Sequence, residues 1–300
     1  MSKLKPWLSA IRLRTLPLSI SGIIIGTCFA YYNGFFNIFI FIFAILTTVS
    51  LQILSNLAND YGDGVKGTDN ESRVGPTRAI QSGAITPEQM LEAIKINILI
   101  IILLVFLLLY KAFGQGHFLY FLLFIGLGAL SVYAAMNYTM GKSAYGYRGL
   151  GDIFVFIFFG FVSVVGSYFL YTKELDHHVL LPAISVGLLS VGVLNLNNMR
   201  DSDTDKQSNK ITLAVKFGKK ASKVYHFILV GGAILISFVF ALLYYSSALN
   251  FLCFLAYIPL IIHLKQIAKA EQPNDFDSQL KVLALSTFLF SLLLGLGYIL

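Results

Sequence analysis

Acidic and amide side chains recur at helical spacing in two places along this 300-residue chain. Asn197, Asp201 and Asp205 stand four residues apart, which puts all three on one face if a helix runs through them. Like charges at that spacing repel, so such a face calls for a cation. Two carboxylates and an amide oxygen are hard oxygen ligands, and Mg²⁺ is commonly held by one or two protein carboxylates while water and substrate phosphate fill its other positions. An earlier segment gives a similar row. Asn59 and Asp63 are four apart, Asn56 and Asp60 lie three residues before each of them, Gly67 takes the place of a third ligand, and Asp69 follows two residues later. Basic residues flank both rows: Arg73 and Arg78 after the first, and Arg200, Lys206 and Lys210 around the second. Carboxylates and bases on one face suit a magnesium-bridged diphosphate, in which the metal neutralises some oxygens and Arg or Lys the others. One acidic cluster beside an apolar run is no more than a solvated helix end. Two matching clusters, each opening with asparagines still inside the apolar run, are read as halves of one site.

The elements that position these residues are membrane helices. The chain is 57% hydrophobic and 12% charged, with a mean hydropathy of +0.76, a composition that excludes a soluble globular enzyme. Nine stretches are apolar enough to span a bilayer: 16–34, 37–58, 91–112, 117–139, 152–172, 178–198, 225–245, 247–264 and 280–300. Pro259 makes the eighth the weakest. With the N-terminus inside, only Lys111 and Lys173 of the 22 Lys and Arg fall on the outer side, as the positive-inside rule requires. The net charge of +7 is therefore matched to lipid headgroups, cytoplasm and an anionic substrate rather than nucleic acid. The basic N-terminal stretch has no small-residue cleavage site and reads as the lead into an uncleaved span. Both Asp-rich segments follow a span and are separated by four helices, so they end on the same face. This gives one membrane domain, 1–300, with two four-helix units, 37–172 and 178–300, behind a leading helix. Thr86-Pro87-Glu88-Gln89 has the form of a helix start, with Thr86 as cap. Cys28 and Cys253 suggest neither a disulfide nor a zinc site. The five histidines are scattered and take no role.

Paired Asp-rich motifs after the second and sixth of nine helices resemble the UbiA superfamily of intramembrane aromatic prenyltransferases. Asn197-x3-Asp201-x3-Asp205 is similar to its NxxxDxxxD motif. Asn59-Asp60-x2-Asp63 resembles the opening of NDxxDxxxD and departs from it at Gly67, which leaves Asp69 as the substitute third acid. Tyr138-x3-Lys142 resembles the family's YxxxK motif. IRLRTLPLSISG, NLANDYGDGVKGTD with GPTRAIQSGAIT, YRGLGDIFVFIFFG, and NNMRDSDTD with KITLAVKFG resemble more narrowly the menaquinone-pathway branch, which acts on 1,4-dihydroxy-2-naphthoate. The similarity runs from Arg12 to about Gly218.

The resemblance implies an all-α integral membrane enzyme with its site at the centre of nine helices. It implies that Asp60, Asp63, Asp69, Asn197, Asp201 and Asp205 hold Mg²⁺ against the diphosphate of a polyprenyl diphosphate, whose allylic C–O bond ionises. The aromatic acceptor then attacks the allylic cation. Asn56, Asn59, Arg78, Arg200 and Lys210 are expected on the donor, and Tyr138 and Lys142 on the diphosphate or the acceptor's carboxylate. Arg148 is expected on the acceptor too. Asp152, beside an apolar run, is expensive unless paired and joins the candidate site. A location in the inner (plasma) membrane follows, with the Asp-rich loops cytoplasmic and the C-terminus outside. A sister enzyme acting on 4-hydroxybenzoate, homogentisate or haem stands as the alternative. A cation-coupled transporter is the remaining one, disfavoured because its acids should lie deep within helices.

Overall fold

The computed structural model describes residues 4–69, 74–114 and 116–300. Among the described residues the chain is helical, without strands. Nine helices are long and apolar enough to cross a membrane: α1 (Leu4–Tyr32), α2 (Ile38–Val65), α3 (Pro87–Phe113), α4 (Phe118–Asn137), α5 (Gly151–Thr172), α6 (His177–Gln207), α7 (Leu213–Leu243), α8 (Ala248–Lys269) and α9 (Pro273–Ile299). The expected number and order hold, and the chain is a multi-pass membrane protein. Its lipid-facing surface is apolar because hydrocarbon leaves no water to solvate polar side chains. α4, whose Phe118, Leu119 and Leu123 are exposed, shows this most fully.

Local chemistry sets the helix ends. Asn37 accepts from the backbone N–H of Phe39 at 2.9 Å and caps α2. Thr86 and Gln89 form the reciprocal capping box at the start of α3 with Pro87 in the first turn, as the sequence predicts. Pro259 interrupts nothing. It falls in the first turn of the α-helical part of α8, Tyr257–Lys269, after a 3₁₀ lead-in, where its missing N–H has no intrahelical acceptor to lose.

Two helix starts differ most from the sequence expectation. α1 begins at Leu4 rather than residue 16, and is broken at Arg12, whose φ of 54° is left-handed. α7 begins at Leu213 rather than 225, with non-helical backbone at Gly218. In both places basic residues end the hydropathy signal while the helix itself continues.

α2 and α6 run on past the length a bilayer requires, to 28 and 31 residues; about 20 suffice. Their polar ends therefore project beyond the apolar slab as ordered helix. α6 is the most enclosed of the nine and packs against α5, α7 and α9. α1 crosses α5 at Gly22 and Gly26, where an added Cβ would meet Ser163 Oγ at 1.9 Å and Ser167 Oγ at 2.0 Å. This small-xxx-small spacing brings two backbones together where lipid supplies no hydrophobic drive. α5 accommodates the crossing with a π-helical stretch, Phe156–Gly166.

Candidate active site

The projecting ends of α2 and α6 converge on a short 3₁₀ turn, Tyr145–Arg148, that precedes α5. Asp63 Oδ1 accepts from the Tyr147 hydroxyl at 2.8 Å, and that hydroxyl lies 2.6 Å from Thr68 Oγ1. The Lys210 ammonium stands 3.4 Å from Asp63 Oδ2 and 3.4 Å from Asp205 Oδ1. Two acids separated by nearly half of the chain thus share one cation. Asp205 Oδ2 is buried with no hydrogen-bond partner among the described residues. On the next inward turn of α6, Arg200 donates to both oxygens of Asp201, at 2.7 and 2.6 Å, and to Asn197 Oδ1 at 2.8 Å. It also donates to Asp277 Oδ1 of α9 at 2.5 Å. Burial alone would lower the Lys210 pKa, but Asp63 and Asp205 outweigh it and raise it above the usual lysine range. Burial likewise raises the Tyr138 phenol well above its ordinary value and keeps it a hydrogen-bond donor.

Asp63, Thr68, Tyr138, Asn197, Asp201, Asp205 and Lys210 line a small polar cleft of about 30 Å³. Asp63, Asp69, Asp201 and Asp205 form one wall, and Arg12, Arg78 and Lys210 supply positive charge. Beneath it lies a chamber of about 370 Å³, walled chiefly by apolar side chains including Leu18, Ile23, Val105, Leu108, Phe124 and Phe158. Arg12, Asn59, Arg78, Tyr138 and Asn197 border both spaces, so the cleft is the polar mouth of the apolar chamber. Asp69 and Arg78 approach to 3.8 Å at this mouth.

The structure brings together Asn59, Asp63, Asp69, Arg78, Tyr138, Asn197, Asp201, Asp205 and Lys210. Other expected residues stand apart. Asp60 was expected among the metal ligands, but its carboxylate is buried and accepts the backbone N–H groups of Ala79 and Ile80 at 3.1 and 3.3 Å. It anchors the loop that carries Arg78. Asn56 faces the chamber, yet its amide donates to Ile11 O at 2.8 Å and Thr15 Oγ1 at 3.1 Å, fixing the break in α1. The Arg200 guanidinium orients Asp201 and Asn197 rather than opening to the cleft. Lys142 and Arg148 are exposed and line neither space. Asp152 is buried and satisfied by the Tyr225 hydroxyl of α7 at 3.2 Å, also away from both. Arg73 lies outside the described residues.

Sequence reasoning missed Tyr147, Arg12 and Arg14 as site residues. Tyr147 contacts a carboxylate 84 positions away, which no local spacing reveals, although it opens the YRGLGD block. Arg12 and Arg14 line the chamber from the break in α1 and belong to the IRLRTLPLSISG stretch.

The donor set fits a hard divalent cation. Asp63, Asp201 and Asp205 converge with an amide oxygen nearby, and Asp205 has a buried oxygen in excess of the donors around it. Comparison with known proteins identifies the fold. The fold matches that of a UbiA homolog from Archaeoglobus fulgidus bound to GPP and Mg²⁺, with a TM-score of 0.67 at 14% identity over 99% of both chains. It also matches the apo structure of a UbiA homolog from Aeropyrum pernix K1, with a TM-score of 0.68 at 16% identity over 95% of this chain and 97% of that one. In sequence, the chain is 40% identical to 1,4-dihydroxy-2-naphthoate octaprenyltransferase of Haemophilus influenzae over 98% of its own length and 96% of that protein's. It is 39% identical to the Escherichia coli protein of the same description over 99% and 96%. A family model matches residues 19–292, taking in both Asp-rich helix ends. This chain therefore belongs to the UbiA prenyltransferase family.

Proposed function

We propose that this chain transfers a polyprenyl group from a polyprenyl diphosphate to 1,4-dihydroxy-2-naphthoate with Mg²⁺ at the carboxylate cleft and loss of CO₂, a step of menaquinone biosynthesis. The observation that carries this reading is the polar cleft opening directly into an apolar chamber, with five residues common to both walls. A diphosphate with an isoprenoid tail has that division of polarity. The naphthoate acceptor is supported by relatives about 40% identical over nearly the whole chain.

Asp63, Asp201 and Asp205 would hold the metal, with Asn197 and Asp69 beside them. Bound there, the ion supplies neutralising charge to the departing diphosphate, so that the allylic C–O bond ionises more readily. The chain's own residues do the rest. Arg78 and Lys210 add positive charge at the mouth, and Tyr138 lines both spaces, where its phenol would be a donor to the diphosphate. The apolar wall excludes the water that would capture the cation and strengthens every charge interaction inside it. Arg12 and Arg14 line the chamber, as do Arg78 and Lys281, whereas Lys142 and Arg148 do not, so the acceptor's carboxylate falls to this basic set, with Arg12 and Arg14 brought in by the break in α1. At the attacked ring carbon a bond to the prenyl group forms and the bond to the carboxylate breaks, releasing CO₂. We place both Asp-rich ends and the N-terminus in the cytoplasm, the C-terminus outside, and the protein in the inner (plasma) membrane as two four-helix units behind α1.

Purified protein incubated with Mg²⁺, a polyprenyl diphosphate and carboxyl-labelled 1,4-dihydroxy-2-naphthoate should release one labelled CO₂ per product. Product that keeps the label, or turnover of 4-hydroxybenzoate in place of the naphthoate, would move the chain to the sister branch.

A further inference from the structure

A cation already occupies the carboxylate cleft. Lys210 is 6% exposed, and its ammonium lies 3.4 Å from an oxygen of Asp63 on α2 and 3.4 Å from an oxygen of Asp205 on α6. Its seat is built on both sides. The Lys210 N–H donates to Asp205 O at 2.8 Å, and the next residue, Ile211, donates to Tyr147 O at 3.1 Å. Asn209 turns the chain back with a left-handed φ of 55°, a conformation asparagine tolerates better than most residues. The Tyr147 ring, centred 5.7 Å from the ammonium, forms one wall.

Without this charge, Asp63 and Asp205 would face each other across a nearly closed space and repel, since Arg200 is committed to Asp201. With it, the ends of α2 and α6 are joined. A divalent ion bonded to the same oxygens at about 2.1 Å would crowd the ammonium at close range, and both carry positive charge. The two cations cannot share those oxygens.

We propose that Lys210 is a tethered counter-cation: it holds Asp63 and Asp205 together in the metal-free protein and competes with the divalent ion for their oxygens, leaving the seat when the ion enters. The proposal rests on the metal reading above and adds to it a role for Lys210 apart from contact with substrate. The same ammonium, once displaced, remains at the mouth of the cleft as a positive charge for an incoming diphosphate.

The test uses the full-length protein in detergent, with Mn²⁺ as probe and no substrate, read by electron paramagnetic resonance. Lys210→Met and Lys210→Gln should bind Mn²⁺ about tenfold more tightly than the parent, since a competing charge has been removed. They should also unfold at lower temperature in EDTA, with saturating Mn²⁺ restoring most of the difference. Lys219→Gln removes the same charge from an exposed site paired with Asp203 and should leave Mn²⁺ affinity near the parent's. In the parent itself, acylation of Lys210 by a sulfonated N-hydroxysuccinimide ester, followed by peptide mass spectrometry, should rise several-fold on adding Mn²⁺. This arm needs no variant to fold. Equal or weaker Mn²⁺ binding in the folded Lys210 variants, or acylation that stays flat or falls, would overturn the counter-cation role alone. Parent protein whose Mn²⁺ binding is absent, or is unchanged in Asp63→Asn, would overturn the metal reading and this inference with it.

Discussion

Asp60 and Asp63 are a turn apart on one helix, and only Asp63 reaches the cleft. About 100° of rotation separates successive residues on a helix. Asn59 and Asp63 are therefore close in azimuth, while Asp60 turns toward the loop at Ala79 and Ile80. The two acids should respond differently to amide substitution. Asp63→Asn, Asp201→Asn and Asp205→Asn should each lower turnover by at least about 10²-fold, the scale lost when one charge-stabilising group is removed from a reacting site. Asp63→Asn and Asp205→Asn also loosen the tie through Lys210, and Asp201→Asn leaves the buried Arg200 short of a partner, so their melting temperatures in detergent should fall too and turnover is compared per folded protein. Asp60→Asn exchanges one of two acceptor oxygens for a donor and leaves a buried backbone N–H unmatched, a cost of about 1–3 kcal/mol. A clear fall in its melting temperature is expected, with Mn²⁺ affinity of the folded fraction retained; a stable Asp60→Asn that binds no Mn²⁺ would return Asp60 to the ligand set. Much of this was legible in advance. Four-residue spacing marked Asn197, Asp201 and Asp205, and Asn59 with Asp63. The orientation of Asp60 depends on a loop 19 residues on, and the place of Tyr147 on a pairing 84 positions away. Neither leaves a periodic trace.

Helix number was readable from hydropathy because each span must bury about 20 apolar residues. Helix ends were not. The apolar signal in α2 fades near Asn56 and in α6 near Asn197, yet both helices continue until the left-handed residues Gly67 and Asn209. That continuation carries the acids and lets them meet. The crossing of α1 and α5 was equally hidden, since Gly22 and Gly26 read only as small residues in an apolar run. Their environments differ enough to predict a ranking. At Gly22 an added methyl group meets chiefly the Ser163 side chain, whose hydroxyl has no partner among the described residues. At Gly26 it meets the backbone as well, 2.5 Å from Val164 O and 2.9 Å from Tyr168 N. Side chains can move aside; helix backbone cannot. Both Gly→Ala variants should be destabilised by about 1–3 kcal/mol, as overpacked sites are. Gly26→Ala should lose more than Gly22→Ala in thermal unfolding, and the reverse order would mean that α5 yields at its π-helical stretch.

Past Gly218 the last three helices carried no motif in the sequence, yet they brace the site. Asp277 of α9 shares Arg200 with Asp201. His226 of α7 and His263 of α8 meet at 2.8 Å, and His263 reaches Gln279 of α9 at 2.9 Å. These contacts join α7, α8 and α9 behind α6. The whole bundle thus presents its polar chemistry at the C-terminal ends of α2 and α6. The side of the membrane this end faces decides which pool of diphosphate it meets. Lys and Arg hold a segment in the cytoplasm during insertion, whereas Asp and Glu contribute little. Lys206, Lys210, Lys216, Lys219, Lys220 and Lys223 cluster at the end of α6 and the start of α7, while the link between α5 and α6 has Lys173 alone. With Cys28 and Cys253 replaced by alanine, cysteines introduced at Gln207 and Leu175 report the two faces, since both positions are exposed. A membrane-impermeant thiol reagent applied to intact cells should label Leu175→Cys and spare Gln207→Cys until the membrane is opened. Labelling of Gln207→Cys from outside would invert the protein, place the carboxylate cleft beyond the cytoplasm, and remove the supply of prenyl diphosphate that the proposed reaction consumes.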